Sequence, residues 1–434
     1  ACRFVLLCRL LALCIALSLV LELADTAFAA QAVADSIHID ADADADLDAK
    51  QLMKKRGYLV EEHKVITADR YILTMFRLPK SYDETQRNVS AAPNKPVVYL
   101  IHGVLDSSIT FAVNFRTQSL AYLLADAGYD VWLGNNRGTP YSREHLEYTT
   151  ADAAFWDFSF EDMAEYDLPA MINHVLDVSK RPTLSYIGHS AGTMQAFAGF
   201  SLNQDVARRV SYFGALAPVA YTGGTTSPVF RALAKIYFDK LSSLFGGTEF
   251  LGSSPVVEGV VKYGCALADV ACDSLITAFM GPSANLNQSR AHVYLSHMPT
   301  STSVKNVGHF AQGIRGNAFR RFDYGCVCAT GTPVSLCPTA LCKNKAVYGA
   351  LKPPAFDLSR MKYPRTALFT GRNDWLSTAS DVAKLRKELP AGTVLSETSV
   401  PYNHVDFTWA SNTGELLNKD LLAQIRQYEG QGYN

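Results

Sequence analysis

The chain has 434 residues, of which 48% are hydrophobic and 19% charged, so it is long enough to bury a large core. Its formal net charge of −1 gives no indication of a nucleic-acid partner. The aromatic content of 11% suits a globular enzyme but does not by itself demonstrate one.

The N-terminus has the pattern of a secretory signal peptide, which we predict at residues 1–29. Arg3 and Arg9 flank the start of an apolar run at 10–21, and Ala27-Phe28-Ala29 supplies small residues for cleavage. The run is too short to span a membrane. No second long apolar stretch follows. We therefore expect an exported, soluble mature protein.

An acidic segment follows at residues 30–50, where Asp alternates mainly with Ala. A low-complexity acidic segment cannot bury a core, so we predict a disordered pro-segment or linker. A calcium-binding loop is the alternative. It is disfavoured because neither the glycine turn nor the terminal Glu of such a loop is present.

Strand-like and helix-like runs alternate between residues 51 and 221. The runs at 60–66 and 71–77, joined by four polar residues, predict a hairpin. Further strands are predicted at 96–101, 130–133, 183–187 and 213–218, and helices at 119–127 and 160–178. Strands that alternate with helices predict a mostly parallel sheet and an α/β fold.

One pentapeptide in this region, Gly188-His189-Ser190-Ala191-Gly192, has the strand–turn–helix context of a nucleophile elbow. The turn is so sharp that side chains two residues before and after the serine would collide with the neighbouring strand and helix. The two glycines remove those side chains. We predict Ser190 as the nucleophile and the Ala191 amide as an oxyanion donor. The alternative is an ordinary glycine-rich turn.

The alternation stops after residue 221 and resumes after 353. Residues 222–353 are predicted as an inserted, mainly helical cap, and residues 354–434 as the second part of the core. Strands are predicted there at 366–370 and 394–400, and a helix at 381–389. Within the cap, Ser227 and Pro228 predict the start of an amphipathic helix that reaches about Phe245.

A catalytic serine requires an imidazole to accept its proton, and His404 is the best candidate. It follows the last predicted strand and is the only histidine after His309. His189 is adjacent to the serine in sequence, but its side chain would point away from the tip of the elbow. We therefore predict His404 as the general base.

The base in turn requires an acid that orients it, and we predict Asp374, directly after the strand at 366–370. The order Ser, Asp, His is that of an α/β-hydrolase. Asp406 and Asp381 are the alternatives. Asp406 is too close to His404 in sequence to approach it easily from the opposite side, and Asp381 begins a predicted helix.

The second oxyanion donor is predicted in the loop His102-Gly103-Val104-Leu105, which follows the strand at 96–101. We expect the Val104 amide to supply it, with the Leu105 amide as the alternative. A main-chain donor places no demand on the side chain, so this prediction depends on topology alone.

The cysteine content supports the prediction that the protein is exported. Outside the signal peptide there is an even set of six cysteines: Cys265, Cys272, Cys326, Cys328, Cys337 and Cys342. We predict disulfides for them. Zinc binding is the alternative because several are closely spaced, although no pair has the C-x-x-C spacing. Asn88 and Asn287 begin glycosylation sequons that an exported protein would use.

The chain resembles the acid lipase family, which contains gastric and lysosomal acid lipases, from about residue 58 to 407. The motifs that carry the resemblance are Gly57-Tyr58, 61–65, 102–108, 134–138, 155–161, 216–220, 285–290, 293–297, 302–306, 322–325, Gly371-Arg372-Asn373-Asp374 and Tyr402-Asn403-His404-Val405-Asp406-Phe407. The resemblance implies an α/β-hydrolase that cleaves triacylglycerols or cholesteryl esters with Ser190, Asp374 and His404, without a metal or other cofactor. It also implies a secreted or lysosomal address.

Further expectations follow from the resemblance. Cys265 and Cys272 are similar to the cap disulfide pair of the family, which leaves the other four cysteines to pair among themselves. A lid in the cap is expected to open at a lipid surface. The stretch 229–245 is either that lid or an ordinary cap helix. The alternatives for function are a short-chain esterase or acyltransferase, and a non-catalytic lipid carrier on the same fold.

Overall fold

A computed structural model describes residues 44–237, 248–251, 269–328 and 331–433. The predicted signal peptide at 1–29 and the first part of the acidic segment lie outside these ranges. Cys265 and the end of the helix predicted to reach Phe245 lie outside them too. In the part of the chain that is described, no helix combines the length and apolar character that crossing a membrane requires.

The centre of the described structure is one large, mostly parallel sheet. The strands in chain order are β1 (Glu61–Ile66), β2 (Tyr71–Leu78), β3 (Val97–Ile101), β4 (Asp130–Gly134), β5 (Glu144–His145), β6 (Leu184–His189), β7 (Val210–Leu216), β8 (Glu249–Phe250), β9 (Thr302–Ser303), β10 (Thr366–Gly371) and β11 (Val394–Val400). The central sheet has the order β1-β2-β4-β3-β6-β7-β10-β11, with β5 paired to β2, while β8 and β9 pair separately.

The pairing confirms the α/β fold predicted from the alternation. β1 and β2 form the expected antiparallel hairpin, and β2 is also antiparallel to β4. Every pair from β4 through β3, β6, β7 and β10 to β11 is parallel. The chain leaves β3 toward β4 on one side and later returns to β6 on the other. The carboxyl ends of β3 and β6 therefore flank the switch point at which α/β folds place their sites.

The described residues form helices that pack on both faces of this sheet and others that belong to the region 222–353. They are α1 (Ala49–Lys55), α2 (Tyr82–Gln86), α3 (Leu120–Asp126), α4 (Phe160–Asp162), α5 (Leu168–Ser179), α6 (Ala191–Leu202), α7 (Gln204–Ala207), α8 (Pro228–Lys235), α9 (Asp269–Met280), α10 (Ala291–His297), α11 (Val304–Gly316), α12 (Lys343–Tyr348), α13 (Ala379–Glu388), α14 (Asp406–Trp409) and α15 (Lys419–Tyr428). A π-helical turn, Met163–Asp167, joins α4 to α5. All five residues of β3 are buried, and Tyr99 and Leu100 belong to the two hydrophobic clusters on opposite faces.

The end of the acidic segment is folded, contrary to the disordered pro-segment or linker predicted for 30–50. Asp48 caps α1 by accepting the Gln51 amide. Asp44 is almost completely buried and forms ion pairs with Arg56 and with the buried Arg290, whose Nη1 lies 2.7 Å from Asp44 Oδ2. These partners offset the cost of burying the carboxylate. Composition could not reveal them, because Arg290 is distant in sequence.

The region 222–353, predicted as a cap, contains α8 to α12 and the β8–β9 pair, and none of these described elements joins the central sheet. α8 ends at Lys235, earlier than the predicted Phe245. The Arg315 guanidinium donates to the Ala234 carbonyl at 2.8 Å and so satisfies the helix end. Tyr237 then leaves the helical conformation with φ 52°.

Disulfides join the four cysteines between 326 and 342, as Cys326–Cys342 and Cys328–Cys337. They therefore pair among themselves, as expected, and are not available as thiolate ligands for the alternative zinc site. Cys265 and the side chain of Cys272 are outside the described structure, so their predicted disulfide stays a prediction.

Candidate active site

Ser190 lies at the turn between β6 and α6. β6 ends at His189 and α6 begins at Ala191, so a single residue connects strand and helix. Ser190 has φ 55° and ψ −118°, a conformation that residues with a side chain rarely adopt. Its N–H donates to the Leu216 carbonyl at 3.0 Å, which ties the turn to β7. The hydroxyl is thereby presented at the carboxyl edge of the sheet.

The glycines on either side of Ser190 are required by close packing. A Cβ on Gly188 would lie 2.9 Å from the Gly192 carbonyl carbon and oxygen. A Cβ on Gly192 would lie 2.6 Å from the Ile101 carbonyl oxygen and 2.9 Å from that of His102. All these obstacles are backbone atoms, which cannot rotate out of the way. The structure therefore gives the steric reason for the G-x-S-x-G pattern.

The three side chains predicted as a triad form one hydrogen-bonded row. Ser190 Oγ lies 2.6 Å from His404 Nε2, and His404 Nδ1 lies 2.8 Å from Asp374 Oδ2 and 3.0 Å from Asp374 Oδ1. All three residues are buried, with exposed fractions of 7%, 2% and 6% for Ser190, His404 and Asp374. A carboxylate at Nδ1 favours the tautomer whose Nε2 is free to accept the serine proton.

Asp374 is held in place by the turn that contains it. Its Oδ1 accepts the amides of Leu376 and Ser377, both at 2.8 Å. The turn follows β10 directly, so the sheet fixes its position. The two alternatives predicted for this role do not contact the imidazole. Asp381 accepts the Gly224 amide, and Asp406 accepts the Asn403 amide at 2.8 Å.

His189 points away from the serine hydroxyl, as expected, and contacts the loop of the base instead. Its Nε2 lies 2.8 Å from the main-chain carbonyl oxygen of His404, so it supports the backbone of that residue. Burial lowers the pKa of His189 to about 3. The ring is therefore neutral and donates a proton to this carbonyl without adding charge to the site.

The loop after β3 packs directly against Ser190. A Cβ on Gly103 would lie 3.0 Å from Ser190 Cβ and 3.4 Å from its Oγ, so a side chain here would push against the serine by a few tenths of an ångström. Within the described residues, neither the Val104 amide nor the Ala191 amide donates to a protein acceptor. The Leu105 amide does not donate to one either, so Val104 as the second oxyanion donor, with Leu105 as the alternative, stays a prediction.

His102 fixes the direction of one of these amides. Its Nδ1–H donates to the Gly103 carbonyl at 2.7 Å, and its Nε2 accepts the Asn136 amide at 3.2 Å. In a trans peptide the C=O and the following N–H point in opposite directions. Anchoring the Gly103 carbonyl therefore also sets the Val104 N–H. Burial lowers the pKa of His102 to about 4, which keeps the ring neutral.

Sequence reasoning missed the contacts that hold the His404 loop from the region 222–353. The His404 amide lies 3.3 Å from the Met280 carbonyl oxygen, and Asn403 Nδ2 donates to the Gly281 carbonyl at 2.8 Å. Asp406 accepts from Ser283 Oγ at 2.7 Å. These segments are far apart in sequence, and no local pattern connects them. The only available signal was that Asp406 belongs to a motif shared with the acid lipases.

The remaining predicted site residues are modification sites. Asn88 is exposed, and Asn287 is partly exposed. Their glycosylation stays a prediction. No metal ligand set is apparent around Ser190 in the described part of the chain, and the one group of cysteines close enough to hold a metal includes both ends of the Cys326–Cys342 disulfide.

A serine at a strand–helix elbow, with an acid and a histidine that follow later strands of the same parallel sheet, defines an α/β-hydrolase. A family model described as "alpha/beta hydrolase fold" matches residues 96–411, and one described as "Partial alpha/beta-hydrolase lipase region" matches residues 49–115. A crystal structure from Sulfolobus solfataricus has the same fold, with a TM-score of 0.51 and 12% identity over 85% of this chain and 99% of that one.

Curated relatives define the group within this class. Gastric triacylglycerol lipase of Bos taurus is 36% identical over 385 residues, which are 88% of this chain and 91% of the relative. Lysosomal acid lipase/cholesteryl ester hydrolase of Homo sapiens is 34% identical over 386 residues, 88% of this chain and 92% of the relative. The chain belongs to the acid lipase family, as the sequence motifs indicated, and it is accordingly a serine ester hydrolase.

Proposed function

We propose that the protein hydrolyses the ester bonds of neutral lipids, triacylglycerols or cholesteryl esters, with Ser190, His404 and Asp374 as its catalytic triad. The observation that supports this most directly is the continuous row of hydrogen bonds from Ser190 Oγ through His404 to Asp374, with distances of 2.6 and 2.8 Å. The elbow conformation of Ser190 and the main-chain amides beside it that donate to no protein acceptor add support, because acyl transfer is accelerated by donors placed at the developing oxyanion.

The proposed reaction has two halves. Ser190 Oγ attacks the ester carbonyl carbon while its proton passes to His404 Nε2, and Asp374 stabilises the resulting imidazolium. The Val104 and Ala191 amides hold the negatively charged oxygen of the tetrahedral intermediate. His404 then protonates the leaving alcohol. In the second half, water attacks the acyl-serine with His404 as the base, which releases the fatty acid and restores Ser190.

The lipid class is inferred from the names of the relatives, and contact with a lipid surface is inferred from two exposed residues that follow α8. The names of the relatives specify triacylglycerol and cholesteryl ester as substrates. At the end of α8, Ile236 and Tyr237 are 60% and 47% exposed, as a segment that contacts a lipid surface would require. We further propose that the protein is secreted or lysosomal, based on the signal-peptide pattern and on the relatives.

The test is a hydrolysis panel of emulsified triolein, emulsified cholesteryl oleate and dissolved p-nitrophenyl butyrate, measured from acid to neutral pH. We expect hydrolysis of at least one long-chain ester. Ser190→Ala should reduce the rate by at least about 1,000-fold, because it removes the nucleophile. The matched control is Ser201→Ala. Ser201 is buried in the same helix and donates only to the Ala198 carbonyl, so its loss should leave the rate within about twofold.

Each alternative gives a different result in this panel. Hydrolysis confined to the dissolved short ester would contradict the lipase proposal and favour a short-chain esterase. Binding of triolein without hydrolysis of any ester would favour a lipid carrier. Undiminished hydrolysis by Ser190→Ala would contradict the proposed mechanism.

A further inference from the structure

The loop from Gly103 to Asp106 has little conformational restraint of its own, although it carries the proposed oxyanion donor Val104. Gly103 has no side chain that restricts its backbone. Leu105 has φ 59°, in the left-handed region that is unfavourable for a leucine. Val104 and Leu105 are both partly exposed. A backbone in such a conformation persists only where its neighbours impose it.

The loop is anchored on both sides of Val104. On the N-terminal side, His102 binds the Gly103 carbonyl as described above. On the C-terminal side, Thr300 binds two main-chain carbonyls of the loop, while the Asp106 carboxylate accepts the Ser107 amide. The Thr300 N–H donates to the Leu105 carbonyl at 2.7 Å, and its hydroxyl donates to the Asp106 carbonyl at 2.9 Å. Thr300 is only 8% exposed, so water does not readily replace these bonds.

We propose that Thr300 is a positioning residue for the oxyanion hole, an inference that depends on the mechanism proposed above. His102 holds the peptide that carries the Val104 N–H, and Thr300 holds the peptides that follow Leu105 and Asp106, so that Leu105 keeps its left-handed conformation and the loop cannot turn the Val104 N–H away. Donors that need no reorganisation in the transition state are the ones that contribute most to catalysis. Thr300 acts through the loop and does not touch the reacting atoms.

The inference gives the region 222–353 a role in catalysis. Thr300 lies in this region, outside the central sheet, and the adjacent residue is also bound to the core. Ser301 Oγ donates to the Gly138 carbonyl at 2.7 Å. The segment is therefore seated firmly enough to serve as a support. Any displacement of this segment would be transmitted to the Val104 amide.

The experiment compares Thr300→Val, which removes the hydroxyl and keeps the N–H, with Thr300→Ser, which keeps both donors. The matched control is Thr366→Val. Thr366 is also buried and also donates its hydroxyl to a carbonyl, that of Pro364, at 2.9 Å. It lies at the start of β10, at the opposite edge of the sheet from the site.

Two quantities are measured for each variant. The first is kcat/KM for dissolved p-nitrophenyl butyrate. The second is the inhibition constant of an alkyl trifluoromethyl ketone, to which Ser190 Oγ adds to form a hemiketal whose charged oxygen occupies the oxyanion hole. Complete loss of one oxyanion donor typically costs about 100- to 1,000-fold. Because the Thr300 N–H remains, we expect Thr300→Val to lower kcat/KM about tenfold and to weaken the ketone by about the same factor.

Thr300→Ser should restore both quantities, and Thr366→Val should change neither by more than about twofold. Equal values of kcat/KM and of the inhibition constant for Thr300→Val and Thr366→Val would overturn the inference, whatever happens to the melting temperature. Failure of the underlying mechanism is distinguishable, because Ser190→Ala would then hydrolyse the ester and wild-type enzyme would not bind the ketone covalently.

Discussion

Gly192→Ala tests whether steric exclusion at the elbow fixes the active site. The new Cβ would lie 2.6 Å from the Ile101 carbonyl oxygen, whereas ordinary contacts begin near 3.4 Å. The obstacle is the backbone of β3, so strand and helix must separate locally by up to about 0.8 Å. Because Gly192 is two residues from Ser190, this movement displaces the nucleophile and the Ala191 amide relative to Val104.

The expected magnitudes follow from this displacement. Misplacement of reacting groups by about 1 Å costs about 100-fold in rate, so we expect kcat/KM to fall by that order. Overpacking in a tight site costs about 1–3 kcal/mol of unfolding free energy. Alanine is intrinsically favoured over glycine in a helix by about 1 kcal/mol, so any observed loss of stability must come from the clash.

The assay is hydrolysis of p-nitrophenyl butyrate combined with denaturant unfolding. Gly316→Ala is the matched control, because Gly316 also lies in a helix, α11, and a Cβ there meets no atom within 4 Å. We expect unchanged activity for this control, and stability that is unchanged or higher by up to about 1 kcal/mol. If Gly192→Ala instead matched Gly316→Ala in both measurements, the elbow would tolerate a Cβ at residue 192 and steric exclusion there would not fix the site.

Three further predictions concern the acid, the buried ion pairs and the disulfides. Asp374→Asn should lower kcat/KM by about 10,000-fold with the fold intact. The amides of Leu376 and Ser377 would keep the side-chain oxygen and turn the NH₂ group toward His404 Nδ1, which then carries no proton, so that Nε2 is protonated and cannot accept the serine proton. Near-normal rates would contradict the role of Asp374 as the orienting acid. Asp44→Asn should reduce the unfolding free energy by about 3–5 kcal/mol at pH 6, because it leaves the Arg290 guanidinium buried without the negative charge of Asp44. Burial raises the pKa of Asp44, but Lys55, Arg290 and Arg56 outweigh it and lower the pKa from 3.8 to about 2. The stability that the ionised carboxylate contributes is therefore fully present above its unfolded pKa and is lost as the pH falls from about 4 to 2. The difference in unfolding free energy between wild type and Asp44→Asn, measured by denaturant unfolding, should shrink over that range. A difference that stayed constant would exclude a coupling between this protonation and stability. Removing the Cys328–Cys337 disulfide with Cys328→Ser and Cys337→Ser should destabilise the segment 326–342 by about 2–3 kcal/mol, the loop-closure entropy expected for so short a loop. Hydrolysis of a dissolved ester should be unchanged. A large loss of that activity would contradict this prediction and show that the segment supports the site.

The central architecture could be predicted from sequence because its signals are local. Strand β11 was predicted with the bounds observed, Val394–Val400, because a short strand-like run there ends before a distinct loop. Ser190 was recognised from five consecutive residues. Asp374 and His404 were found because each follows a predicted strand, and in a parallel sheet all such loops lie at one edge.

Other features have no local signal. The ion pair of Asp44 with Arg290 and the bonds of Thr300 to the loop of Val104 join segments that are distant in sequence. The two-residue strands β8 and β9 are too short to show any periodicity. At the early end of α8, Arg315 from another helix binds the Ala234 carbonyl. In each case the tertiary partner decides the local structure, and it is not readable from the segment itself.

Active-site titration with an alkyl phosphonate tests whether Ser190 is the activated nucleophile, because the reagent reacts preferentially with a serine that a nearby base activates. We expect one label per molecule, located by mass spectrometry on Ser190, with ester hydrolysis lost in proportion to labelling. His404→Ala should prevent both. A label on another residue, or hydrolysis that continues after Ser190 is fully modified, would contradict the proposed mechanism.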